Sequence, residues 1–516
     1  MKNEPLTAKQ AEPKTTKVVK KTEEKPKLKS ISDIRRFFYK NEEPIYFVSA
    51  TNFNLLGADE WIKNFRFINY IDCYDHQHPN VFAPQEELPH EEFQSIEDIT
   101  AYLLDHKEVH DFIKDRGQNM PKAQKNGKVL YLMFDQRVEK LAKQLGLKVC
   151  FPSSKLREHL DNKIITNRVA EKAGVPCVPN VLKKVDSYKT LRKISDHLGK
   201  DLVVQTAFGD SGHTTFFISN EEDYNKYKKE IEAEPECKIM KKIQCRGSAI
   251  EACVTRHGTI VAPLLTELVG FKELTPYKGG WCGNEVYPNA FNQSIRNQAR
   301  KYTEMFGNQL REEGYMGYFE LDFLIEEKTN KVYLGELNPR ITGASSITNH
   351  AVFALADCPL YLFHLLEWMD VDYDISVKQI NQRWARPENI DNWSQMVIKH
   401  TEDTVDILTE APPSGIYKMD YNGNISFSRF DTHRRAVENE NEAFFLRILK
   451  PGDYQYEGAD LGILVSRGRF MTDDFKLNAR GKKWIEGIRK LFKSTTPTNT
   501  TLAQNKIEQA NGFKML

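Results

Sequence analysis

Glu320 and Asp322 alternate along the run Gly317-Tyr318-Phe319-Glu320-Leu321-Asp322-Phe323-Leu324-Ile325. Glu336 and Asn338 alternate along Val332-Tyr333-Leu334-Gly335-Glu336-Leu337-Asn338, and Arg340 follows two residues later. Both runs read as strands joined by a turn. A period of two puts Glu320 and Asp322 on one face of the first strand, and Glu336 and Asn338 on one face of the second. Four oxygen-bearing side chains set among apolar strands repel one another and lose hydration unless a cation neutralises them. Mg²⁺ suits such a hard oxygen set, with phosphate as a further ligand. Arg340 adds a fixed cation for a phosphoryl or acyl-phosphate group. The competing reading is an exposed hairpin whose carboxylates are simply hydrated.

A second stretch, Leu202-Val203-Val204-Gln205-Thr206-Ala207-Phe208-Gly209-Asp210-Ser211-Gly212-His213-Thr214-Thr215-Phe216, is a strand running into a loop of small residues. Gly209 and Gly212 would let backbone amides approach phosphate oxygens closely. The loop is neither a Walker loop nor a dinucleotide fingerprint, and an ordinary hairpin turn explains it equally well. A third, Tyr277-Lys278-Gly279-Gly280-Trp281-Cys282-Gly283-Asn284-Glu285, reads as a mobile loop over a substrate. Cys282 is there a candidate nucleophile without an evident histidine partner.

These segments need a large scaffold. At roughly 150 residues per domain, the 516-residue chain has room for about three or four domains. It is 40% hydrophobic and 28% charged, with no apolar run long enough to cross a membrane. Lys plus Arg number 73 against 72 Asp plus Glu, so no overall field draws the chain to nucleic acid or an anionic membrane. The eight cysteines show no C-x-x-C spacing and read as reduced, which with the lack of a signal peptide makes the cytoplasm the expected compartment.

Residues 1–30 hold nine Lys and four Glu with few large apolar side chains and read as a solvated tail. The apolar runs at 45–49 and 129–134, with intervening helical pattern and the short run 148–151, predict a small α/β layer over 44–154. The polar turn Thr51–Gly57 predicts a helix just after it. Residues 155–174 read as one helix stopped by Gly174 and Pro176, and 351–369 as another. Two lobes over 155–370, a β-rich segment over 371–493 with turns at Asn422-Gly423-Asn424 and Pro451-Gly452, and a loose end over 494–516 complete the expected organisation.

Lys163 in Leu160-Asp161-Asn162-Lys163, the glycine loop near 209, and the set Asp322, Glu336, Asn338 and Arg340 resemble, in order and spacing, the ATP-grasp superfamily. Within it the chain is most similar to the biotin carboxylase-like carboxylate-amine ligases. The resemblance implies a mixed α/β and α+β architecture: an N-terminal pre-ATP-grasp α/β domain, two lobes clasping ATP, and a C-terminal β-rich cap. It also implies an ATP-dependent ligase in which a carboxylate is phosphorylated and an amine displaces phosphate from the acyl phosphate, leaving ADP. ATP and Mg²⁺ are the implied cofactors, with two ions and Mn²⁺ as an alternative metal. The implied partners are small-molecule or peptide carboxylates and amines, with no nucleic acid or membrane, and a homodimer is compatible with the fold.

By the same resemblance Lys163 contacts phosphate, and Gly209, Ser211, Gly212, His213 and Thr214 form the loop over the phosphates. Asp322, Glu336 and Asn338 ligate metal, Arg340 lies beside the transferred group, and Lys242 and Ile243 fall at the hinge that meets adenine. Glu320 has no certain counterpart. Two departures stand out. The strand before the loop carries Gln205 where the family has lysine, so the phosphate site lacks one positive charge there, with His213, Lys241, Lys242, Lys272 and Lys278 as substitutes. Four residues beyond Arg340 stands Ala344, where biotin carboxylases carry a glutamate base. The loop Thr342-Gly343-Ala344-Ser345-Ser346 could receive a substrate carboxylate or form a capped turn. The alternatives to ligation are carboxylation of another acceptor and a nucleotide-binding scaffold without catalysis.

Overall fold

The structure is a computed structural model that describes residues 27–118, 120, 127–209, 214–351, 357–499, 503, 504 and 507. The continuous apolar run Ile45–Ser49 is fully buried at the centre of a five-stranded parallel sheet. Phe65–Asn69 and Lys128–Tyr131 flank it in parallel register, as expected for strands covered by helices on both faces. The helix predicted after Thr51–Gly57 does not form. Two single turns of 3₁₀ helix, Phe53–Leu55 and Ala58–Glu60, stand there instead. Gly57, at φ +86°, turns the chain between them, and a Cβ on it would run into His433.

Residues 27–30, expected to belong to the solvated tail, are part of the folded chain. Lys27–Leu28 pairs in parallel with Asp372–Tyr373, Leu28 is buried, and the Ser30 hydroxyl caps the helix Ile31–Tyr39 by accepting from the Asp33 N–H. At the other end Lys493–Thr495 pairs with Val405–Glu410. The single helix expected over 155–174 is two, Ser154–Asp161 and Lys163–Ala173. They break at Asn162, whose Oδ1 accepts from the N–H groups of Ile164 and Ile165 at 2.9 and 3.2 Å. Of the helix expected over 351–369, Leu360–Leu366 is present and entirely buried, while 352–356 lie outside the described residues.

Two sheets then face each other. The smaller has the strand order Asn180–Lys183, Cys237–Lys241, Leu202–Gln205, Thr215–Ile218. Leu202, Val204, Phe216, Cys237 and Ile239 form its core with Leu191 and Ile231 from the covering helices. The alternate residues Val203 and Met240 therefore point the other way, toward the larger sheet. That sheet has ten strands. Gly317–Glu326 and Val332–Asn338 lie at one end, and the helix Gln293–Glu312 packs on one side through Ile295, Ala299, Phe306 and Leu310.

Trp281–Val286 is an interior strand of the large sheet, paired with Gly258–Val269 and Trp393–Lys399. The loop expected over 277–285 does not extend past Gly280, because from Trp281 onward the chain meets partner strands on both sides. Cys282 is buried and its thiol donates to the Leu268 carbonyl at 3.2 Å. Burial pushes its pKa up to about 12, which removes the candidate nucleophile. All eight cysteines are free thiols. No helix among the described residues is long and apolar enough to cross a membrane.

The Trp281–Val286 to Trp393–Lys399 seam joins strands from before and after residue 370 into one sheet. Gly283 allows it: at φ +138° a Cβ there would strike the Gln395 carbonyl. Gly283→Ala is expected to lower the unfolding free energy by about 1–3 kcal/mol. Gly452→Ala, also at positive φ but with open space around it, should cost less in the same urea titration.

Candidate functional site

The hairpin of Gly317–Glu326 and Val332–Asn338 sets Glu320 opposite Asn338 and Asp322 opposite Glu336. The face predicted from alternation is therefore the observed one. A bulge follows Asp322, with Gly335 as the extra residue, so that Phe323 pairs with Leu334 and Leu324 with Tyr333. One face thus runs from an acid end at Glu320, Asp322, Glu336 and Asn338 to an apolar end at Leu324 and Tyr333. The opposite face, through Leu321, Phe323, Leu334 and Leu337, fills the core.

At the acid end the Asn338 amide donates from Nδ2 to Glu320 Oε2 and Asp322 Oδ2, both at 3.3 Å. Asn338 Oδ1 accepts from Arg340 Nη2 at 3.0 Å, and Arg340 Nε is buried without a partner. Lys163 is the first residue of its helix, placed by the Asn162 cap. Its ammonium lies 3.0 Å from Glu336 Oε1 and donates to the Gly209 carbonyl at 2.5 Å, while its N–H donates to the Ala207 carbonyl at 2.8 Å. Lys163, Glu336, Asn338, Arg340 and the end of the strand before the glycine loop are thus brought together.

Glu267, a residue that alternation and spacing do not single out, joins them. Its strand passes Cys245–Thr255 at Gly247, where a Cβ would lie 2.6 Å from Glu267 Oε2, so the missing side chain opens a path toward Glu336. Its signal was a lone acid in the apolar run Leu264-Leu265-Thr266-Glu267-Leu268. Burial, then the Glu336 charge, raises Glu267 to about 7. Glu320 and Asp322 are raised well above the usual carboxylate range by burial and by repulsion from neighbouring carboxylates, with Arg340 acting the other way. Without added positive charge, ionisation of Glu267, Glu320 and Asp322 is opposed.

Among the described residues no three His, Cys, Asp or Glu side chains could hold a metal ion on their own. Two register-paired carboxylates and an amide oxygen still suit Mg²⁺, which takes few protein ligands and shares the rest of its shell with phosphate and water. The raised carboxylates are what a cation would lower.

The apolar end of the hairpin meets the smaller sheet. Val178, Val203 and Met240 cluster there with Ile243, Leu324 and Tyr333. Ile243 lies between the strand ends at Lys241 and Cys245. Its neighbour Lys242 points outward, its ammonium 5.6 Å from the Phe217 ring centre, and its N–H donates to the Asp201 carbonyl. Gln205 Nε2 donates to Thr215 Oγ1 at 3.1 Å, and Gln205 Oε1 is buried without a partner. Gly209 has φ +140° and abuts Thr214. Ser211, Gly212 and His213 lie outside the described residues. Lys241, Lys242, Lys272 and Lys278, offered as substitute cations, are all exposed.

The Thr342–Ser346 loop is a capped turn. Thr342 Oγ1 and Ser345 Oγ donate to buried Glu251 at 3.0 and 2.6 Å, as does the Tyr318 hydroxyl at 2.6 Å. The Thr342 N–H donates to Ser345 Oγ at 2.9 Å. Hydroxyls engaged this way leave the substrate-receiving reading without its donors. Asn54 and Gln395 fix the loop from outside by donating to the carbonyls of Thr342 and Gly343 at 2.9 and 2.7 Å.

The raised pKa of Glu267 sets a pH dependence. Its ionisation opposes the folded state, so the cost is absent below about pH 4.5, grows as pH rises and is full above about pH 7. Glu267→Gln is expected to stabilise the metal-free protein by about 1–3 kcal/mol at pH 8 and to change nothing at pH 4.5, as read by urea unfolding at the two pH values.

No protein-family model and no curated protein matches the chain. Solved structures do. The N5-carboxyaminoimidazole ribonucleotide synthetase of Thermotoga maritima aligns with 88% of this chain and 100% of its own, with TM-score 0.52 at 12% identity. The biotin carboxylase of Campylobacter jejuni, solved with an ATP analogue, aligns over 87% and 92%, with TM-score 0.52 at 12% identity. The biotin carboxylase domain of the Hydrogenobacter thermophilus 2-oxoglutarate carboxylase, a dimer with MgADP, ADP and bicarbonate, aligns over 91% and 96%, with TM-score 0.53 at 12% identity. The alignments span nearly the whole of each known structure. The chain has the ATP-grasp fold, in the arrangement it shares with the biotin carboxylases.

Proposed function

We propose that the protein is an ATP-dependent ligase that activates a carboxylate as an acyl phosphate for attack by an amine. The observation that carries this reading is the polarity of one cleft face. It is apolar at Leu324 and Tyr333 and acidic at Asp322 and Glu336, with Lys163 beside Glu336 and Arg340 beside Asn338. In this reading the apolar end, with Val203, Met240 and Ile243, takes the purine, and the triphosphate extends toward the acids. Lys163 and Gly209 lie along that path. Asp322, Glu336 and Asn338 are the residues to hold Mg²⁺, one ion or two, with Mn²⁺ able to replace it. The ion's chemistry there is to neutralise phosphate charge.

Arg340, fixed by Asn338, is the proposed catalytic cation. A substrate carboxylate oxygen attacks the γ-phosphorus, the bond to the bridging oxygen breaks, and ADP leaves. The amine then attacks the acyl carbon, phosphate departs, and the nitrogen loses a proton. The protein's task is positioning and charge neutralisation, since phosphoryl transfer asks for little covalent help. Biotin carboxylation fits less well, because Ala344 is a buried methyl group where the base would stand. The proposed setting is the cytoplasm, where eight free thiols persist. A homodimer is proposed from the dimeric carboxylase domain.

The test is ADP release with MgATP across a panel of carboxylate and amine pairs, with products identified by mass. Release that needs both partners and yields their condensation product is expected. Glu336→Gln and Asn338→Ala should each reduce it about 100-fold or more while leaving the fold intact. Turnover unaltered in both variants would remove the metal assignment. A strict bicarbonate requirement would point to carboxylation, and binding without turnover to a scaffold.

A further inference from the structure

Lys238 is 2% exposed, and among the described residues its ammonium has neither an ion-pair partner nor a hydrogen-bond acceptor, unlike Lys163 and Arg340 nearby. It sits on Cys237–Lys241 directly opposite Gln205 in the antiparallel register with Leu202–Gln205. Directly opposed residues share a face. Here that face is the cleft face, because Cys237 and Ile239 alternate into the small core, whereas Met240 packs with Val203 and Leu324.

The charges around Lys238 are those of the acid end. Burial lowers the pKa of Lys238 most, Cys177 and then Glu336 favour its charged form, and Lys163 works against it. Two lysines thus share one carboxylate, and that carboxylate already pairs with Lys163. A buried ammonium left in this state is costly unless an anion arrives. Should Glu336 turn to a metal ion, both lysines lose their compensation together, and phosphate oxygens are the ligand chemistry that restores it. Gln205, tethered through Nε2 to Thr215, keeps Oε1 free to take one of the three ammonium hydrogens, leaving others for phosphate.

We infer that Lys238 is a phosphate-binding cation of the nucleotide cleft, supplying from the neighbouring strand the positive charge that Gln205 lacks. The inference rests on the nucleotide-binding reading above and assigns a residue to it.

The test is calorimetry with ADP and Mg²⁺ on the full chain, with Lys238→Met, and with the transposed pair Gln205→Lys/Lys238→Gln, alongside the melting temperature of each ligand-free protein. Lys238→Met is expected to weaken ADP binding about 10- to 100-fold with an unchanged or higher melting temperature, because an uncompensated buried charge has been removed. The transposed pair is expected to recover most of the affinity. Unchanged affinity in Lys238→Met, or a lower ligand-free melting temperature showing a structural role, overturns the inference. So does a folded transposed pair as weak as Lys238→Met. If the unaltered protein itself takes up no ADP, the nucleotide reading fails first, and this assignment with it.

Discussion

Repulsion among carboxylates held on one face of a β-hairpin is the constraint around which the cleft is organised. Burial, and then repulsion from neighbouring carboxylates, drives Glu267, Glu320 and Asp322 toward the protonated form. Folding tolerates this because the opposite face of the same hairpin buries Leu321, Phe323, Leu334 and Leu337, and each such side chain contributes about 1.5–3 kcal/mol. The apolar face holds the strands in register, and the register forces the acids together. Electrostatic tension at such a place is an ordinary sign of a binding site.

The cations answer that tension from three separate elements. Lys163 comes from a helix start fixed by Asn162, Arg340 from the chain just past the hairpin, and Lys238 from the smaller sheet. Two sheets must therefore be held at a defined separation for the charges to meet. The cluster of Val178, Val203, Met240 and Ile243 against Leu324 and Tyr333 provides contact between them at the apolar end. The same residues that keep the sheets in register with one another form the proposed purine slot.

Beside Glu320 on the same face, Glu251 serves a different purpose. It lies opposite Glu320 in the sheet, and three hydroxyls are turned toward it. Its raised pKa comes from burial, against which those hydroxyls work. The Thr342–Ser346 turn is thereby tied to the large sheet, and Asn54 ties it to the N-terminal domain. Arg434 adds a further tie by donating to the Ser346 carbonyl at 2.6 Å. Movement of Arg340 relative to the acids is limited by this anchoring.

Local pattern alone determined the acidic hairpin and the buried strands Ile45–Ser49 and Lys128–Tyr131 of the N-terminal sheet, because alternation and apolar runs act between residues close in the chain. Glu320, Asp322, Glu336 and Asn338 were legible as one face for that reason, whereas Gln205 stood out only through the resemblance, which sets a lysine there. What alternation could not show was Lys238 opposite Gln205, Glu267 reaching over Gly247, or Trp281–Val286 as an interior strand rather than a loop. Each depends on which strand lies beside which, and that pairing is decided by burial across distant segments. A lone lysine or glutamate in an apolar run looks the same in sequence whether it faces water or a cleft; only the tertiary structure settles which charges share a low-dielectric space.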